Sequence, residues 1–225
     1  MLAKRARQSA NLAIATWACV AWLSGEALAY ANQAMPLTLT VYDYAQVPRD
    51  VRAEAAKTVA QIYGALGVEM VWADWCVHAA CRSDIQPAAM VDSRRRMLTV
   101  HIVGSAMPPF THKAKVMGVA PTGGYMAYAF YDRITAFALR RELYLSTVLG
   151  YVIAHEVGHL LLREGHVDYG IMRSSWSASD LIQAQRGRLG FTSMQGHRIR
   201  AQVAQMHSDG AEEVEVFAAP ALWHP

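Results

Sequence analysis

The chain has little cysteine, little charge and only a short apolar run near its start, and each scarcity narrows what it can be. Three cysteines stand among 225 residues. Cys19 falls in the N-terminal segment, which leaves Cys76 and Cys81. In an oxidising compartment two cysteines so close are expected to close a short local disulfide. With His78 they would instead form a metal site one ligand short of four. Charged residues make up 17% and the formal charge is only +3, so no nucleic-acid partner is expected. The Arg94-Arg95-Arg96 cluster reads as a solvated turn. No internal repeat is present.

The apolar run, residues 11–23, is short for a membrane span. Lys4, Arg5 and Arg7 precede it and Ala27-Leu28-Ala29 follows, the pattern of a secretory signal peptide. Cleavage is expected after Ala29, with Ala31 as the alternative site and a retained N-terminal anchor as the alternative reading. Thr16 and Trp17 make a poor lipobox for Cys19. Residues 1–29 carry three basic side chains and one acidic one, so their loss takes the formal charge from +3 to +1. The expected organisation is a signal peptide at 1–29, one domain at 30–210 and a tail at 211–225. The mature chain is expected to be secreted or periplasmic, with no stable membrane insertion.

Along the domain, residues 37–43 alternate as a strand, and an amphipathic helix follows from Pro48 to Gly67. Residues 68–73 form a second strand, completing a βαβ unit whose crossover is expected to be right-handed. Residues 97–103 read as a third strand. Residues 116–120 and 125–131 flank the Gly123-Gly124 turn as short strands or one interrupted edge strand. A sheet edge of that kind accepts an extended peptide as an added strand, and Tyr125, Tyr128 and Tyr131 are candidates to line the cleft. Residues 135–162 contain no proline and repeat apolar residues at helical spacing, predicting one long helix. Two further helices are expected at 177–188 and 192–206, with Ser177 or Ser179 as an N-cap.

The centre of the sequence is His155-Glu156-Val157-Gly158-His159. Four residues apart on a helix, His155 and His159 project from one face, one turn above the other, and can share one metal ion. Glu156 stands where a carboxylate can take a proton from metal-bound water. The apolar residues around the triplet place it near a buried face, where two histidines and a glutamate are costly unless something pairs with them. His166 offers a third nitrogen, leaving a fourth position open; Glu164, Asp168 and Asp180 are the acidic alternatives.

With Gly170-Ile171-Met172 downstream, residues 155–172 resemble the zincin metallopeptidases and, within them, the metzincins. The resemblance implies an α+β fold, a zincin-like mixed β-sheet packed on a long active-site helix, followed by C-terminal helices. It implies a Zn2+ cofactor, a peptide or protein substrate and zinc metalloendopeptidase activity with Glu156 as general base. Met172 would sit in a tight turn beneath the metal, or serve simply as a core methionine. A non-catalytic secreted zinc-binding module of the same fold is the alternative. The metzincin pattern wants glycine at 162 and histidine at 165; this chain has Leu162 and Gly165, with histidine one residue late at 166. An unbroken helix would separate His159 and His166 by about 10 Å along its axis. The helix is therefore expected to unwind around residues 162–164, with Gly165 able to take the left-handed conformation.

Overall fold

A computed structural model of the chain describes residues 34–75, 97–105, 115–121 and 124–217. The expected signal peptide, the Cys76 and Cys81 pair with His78, and the Arg94-Arg95-Arg96 cluster lie outside these residues. The fold is α+β. Five strands, β1 (Met35–Asp43), β2 (Val68–Trp75), β3 (Met97–Val103), β4 (Gly118–Val119) and β5 (Met126–Phe130), lie in the order β2-β1-β3-β5-β4. All neighbours are parallel except β4, which runs antiparallel to β5 at the edge. The sheet is thus mixed. Helix α1 (Arg49–Gly64) links β1 to β2, and Pro48 caps its start instead of opening its first turn.

Strand alternation decides which face meets the helices. Leu37, Leu39 and Val41 of β1, Leu98, Val100 and Ile102 of β3, and Ala127 and Ala129 of β5 are all buried in one core. Two further helices follow the sheet: α2 (Tyr131–Arg140) and α3 (Leu145–Leu162). The single helix expected over residues 135–162 is therefore two. Glu142 breaks it by taking a left-handed φ of 53°. The Leu143 amide then bonds back to the Ala138 carbonyl at 2.9 Å and the Glu142 amide to Leu139 at 3.3 Å, the paired bonds of a Schellman ending. Leu143 packs against the core as the chain turns. A left-handed conformation costs a side-chain-bearing residue about 1–2 kcal/mol. Glu142→Gly is accordingly expected to raise stability by roughly 0.5 kcal/mol after the added unfolded-state entropy, measurable as a higher urea midpoint.

Helix α3 is the spine of the molecule. Its mean hydropathy of 1.4 and 18 residues would suit a membrane span, yet 83% of it is buried inside the protein, where a helix apolar all round belongs. It lies close against α1, because a Cβ on Gly150 would stand 2.9 Å from the Ala55 carbonyl and 2.7 Å from Thr58 Cβ. The Tyr63 hydroxyl of α1 donates to the Ala154 carbonyl at 2.9 Å. That bond fixes the register of the two helices one residue before His155.

Two helices close the chain, α4 (Ala178–Gln185) and α5 (Ser193–Phe217). Ser177 caps α4 through a capping box with Asp180, as its position before the helix predicts. Helix α5 runs beyond Met206, where the sequence pattern would end it, and Ile199 and Val203 anchor it with no exposed surface.

Candidate metal centre

Three imidazoles converge at the C-terminal end of α3. The Nε2 atoms of His155 and His159 are 3.1 Å apart, those of His155 and His166 3.2 Å, and those of His159 and His166 3.3 Å. His155 is buried, His159 half-buried and His166 exposed. The two helical histidines have their other nitrogens engaged. Nδ1–H of His155 donates to the Ile171 carbonyl at 2.7 Å and Nδ1–H of His159 to the Glu164 carbonyl at 3.0 Å. In that tautomer both Nε2 atoms carry lone pairs and no proton. Lone pairs aimed at each other at 3.1 Å repel unless a cation lies among them. Four nitrogens around zinc, at bond lengths of about 2.0–2.1 Å, stand about 3.3 Å apart in a tetrahedron. The three distances match one face of it, so the three-histidine site can hold a zinc ion with one position left for water or substrate.

The electrostatics agree with this use. Burial lowers the His155 pKa from 6.5 to about 4, and burial likewise lowers those of His159 and His166, with His159 adding to the effect on His166. Neutral imidazole is the form that ligates metal. The Ile171 carbonyl also accepts the Trp176 indole N–H at 3.0 Å, and the indole meets the His155 ring edge-on with centroids 6.1 Å apart. Trp176 thereby braces the carbonyl that orients His155, a contact that spacing in the sequence did not reveal.

The turn to His166 begins at Arg163, which caps α3 in the left-handed conformation at φ 55°. The helix ends at Leu162, within the expected region, but Arg163 and not Gly165 makes the left-handed step. The metzincin pattern places its glycine three residues before the third histidine. Arg163 also stands three residues before His166. The extra residue is therefore absorbed in the helix, and the turn with its histidine moves on as a unit. Of the acidic alternatives, Glu164 pairs with Arg198 of α5. Asp180 is held in the α4 capping box and by Arg173 at 3.2 Å. Among the described residues only His155, His159 and His166 form a group able to hold a metal.

Beneath the histidines lies the turn around Gly170, whose φ is +76°. It carries the backbone to the fully buried Met172. A Cβ on Gly158 would come 2.6 Å from the Met172 sulfur, so the methionine packs directly under the ligand-bearing stretch of α3. The core reading of Met172 holds, since it is fully buried against that stretch of helix.

Glu156 is 6% exposed, and burial raises its pKa from 4.5 to about 8. The edge strand passes against it. A Cβ on Gly118 would stand 2.6 Å from the Glu156 carboxylate, so only glycine lets β4 lie this close. Gly118→Ala is expected to displace the carboxylate and reduce catalytic turnover by ~10-fold or more, with the metal still bound, since small misplacements of reacting groups are costly. Metal analysis and peptide-cleavage rates check both halves. Tyr128 stacks on His101 at 5.2 Å and Tyr131 opens α2.

No family model and no curated protein matches this chain. Among solved structures it is similar to archaemetzincin from Methanopyrus kandleri, with 18% identity, TM-score 0.47, and 76% of this chain and 97% of that chain covered. A zinc-dependent peptidase from Methanocorpusculum labreanum matches at 17% identity and TM-score 0.46, over 73% and 99% of the two chains. Metalloproteinase-II from Bacteroides fragilis matches at 14% identity and TM-score 0.48, covering 76% of this chain and 54% of that one.

Proposed function

We propose that this chain is a secreted zinc-dependent endopeptidase in which Glu156 is the general base. One observation carries the reading: three imidazole Nε2 atoms 3.1–3.3 Å apart, two of them left with free lone pairs by Nδ1–H bonds to backbone carbonyls, beside a buried carboxylate that an edge strand covers. Zinc bound there would supply a water of lowered pKa and a Lewis acid for the scissile carbonyl. His155 and His159 are held by backbone carbonyls and His166 by its turn, so the ligands are preorganised. Glu156 takes a proton on a carboxylate oxygen and returns it to the leaving amine. A nearby cation favours its ionised form against the desolvation that otherwise keeps it protonated.

Substrate binding follows from the sheet. Among the described residues strand β4 is the sheet edge and pairs with β5 alone, and an edge of that kind takes an extended peptide as an added strand. The N-terminal segment with its Ala27-Leu28-Ala29 pattern supports export. The deciding experiment expresses residues 30–225, measures metal by mass spectrometry and assays fluorogenic peptides blocked at both ends. Stoichiometric zinc and cleavage of the blocked peptides are expected. A wild type that takes up no metal would sink the reading, and metal without cleavage across a broad peptide library would replace it with a binding module.

A further inference from the structure

We infer that Arg198, on α5, is a positioning residue for the metal centre, a role that rests on the zinc reading above. Its guanidinium pairs with the Glu164 carboxylate, and Glu164 is the residue whose carbonyl accepts the His159 Nδ1–H. Glu164 therefore joins two things: its backbone orients one ligand and its side chain is tied to a helix 34 positions further along the chain. It also stands two residues before His166, inside the turn that brings the third nitrogen into place.

The turn needs such a tether. Arg163 starts it in a left-handed conformation that favours glycine, and residues 163, 165 and 166 are exposed, so little packing holds the segment from outside. Helix α5 supplies a fixed point. Ile199 and Val203 are fully buried, Arg200 donates to the Leu66 carbonyl at 3.1 Å, and Thr192 and Gln195 cap the helix reciprocally. Arg198 presents its charge from this anchored surface. The pair is about half exposed, with side chains at 50% and 40%, so its worth to global stability is small. Its effect falls on the geometry of one turn.

The test uses the zinc-loaded chain and follows zinc transfer to a chromophoric chelator. Arg198→Gln is expected to release zinc about tenfold faster than wild type, the lower end of the range for outer-shell partners of metal ligands. The thermal midpoint of the metal-free protein is expected to stay unchanged. Arg198→Lys, and the exchanged pair Arg198→Glu with Glu164→Arg, are expected to recover most of the loss. Release within about twofold of wild type overturns the inference, because outer-shell partners act above that level. So does an equal fall in the midpoint of the metal-free variant, which would mark Arg198 as a general stabiliser. A wild type that holds no zinc overturns the metal reading and this inference together.

Discussion

Glu156→Ala is expected to retain stoichiometric zinc and lose peptide hydrolysis by roughly 10²–10⁴-fold, the usual contribution of a positioned proton-transfer group. The two halves of that result come from different atoms. Zinc retention depends on His155, His159 and His166, whose Nε2 atoms form the ligand triangle without Glu156. On the proposed function, turnover rests on a carboxylate that is 6% exposed and that no cation among the described residues neutralises. A group so placed is kept against its own desolvation cost, and removing it leaves water activated but with no proton acceptor beside it. Glu156→Gln retains the shape without the basicity and should be as inactive as the alanine variant. Mass-spectrometric zinc content beside cleavage rates decides the matter. A variant that keeps wild-type turnover would remove Glu156 from the chemistry.

Stripped of metal by a chelator, the protein is expected to lose about 2 kcal/mol of stability relative to Glu156→Gln between pH 6.5 and pH 8, from ~1.4 kcal/mol per pH unit for one proton. Glu156 has a folded pKa of about 8 against an ordinary 4.5, so its contribution is present at low pH and disappears as pH rises through 8. His155 works in the opposite sense. Its folded value of about 4 lies below the ordinary 6.5, so its contribution is complete above 6.5 and is lost as pH falls towards 4. His159 and His166 are lowered too and follow the same sign. At pH 6.5 an unfolded histidine is still half protonated, so the three histidines offset part of the Glu156 loss until about pH 7.5, and the Glu156 share is the difference between wild type and Glu156→Gln. Urea midpoints at three pH values should decline for the metal-free wild type relative to Glu156→Gln, which rises slightly with its histidines; parallel lines for the two would contradict this account.

Much of the fold was legible because it rests on short-range patterns. The alternation in β1 and β3 and the amphipathic spacing of α1 report one buried face each, and His155, Glu156 and His159 need only helix geometry to meet. The break at Glu142 left no such mark. Glutamate is a good helix former, no glycine or proline stands nearby, and the paired closing bonds form because Leu143 turns into the core. The left-handed step at Arg163 escaped for a similar reason, since Gly165 offered the cheaper conformation and tertiary packing chose otherwise. Gly118, Trp176 and Arg198 were silent in the sequence. Each matters only through what the fold brings beside it.

The displaced turn says something about how such ligand sets change. A helix that grows by one residue at its end rotates its last side chain by about 100° and advances 1.5 Å, which would seem to destroy a third ligand counted from the second. Here the left-handed residue and the histidine three places after it travel together, from Arg163 to His166, and the three nitrogens still close to within 3.3 Å. In this chain the distance from the left-handed residue, and not the distance from the second helical ligand, sets where the third histidine falls. A pattern that anchors the third histidine on the left-handed position, whatever residue occupies it, would recognise chains that a fixed count from His159 passes over.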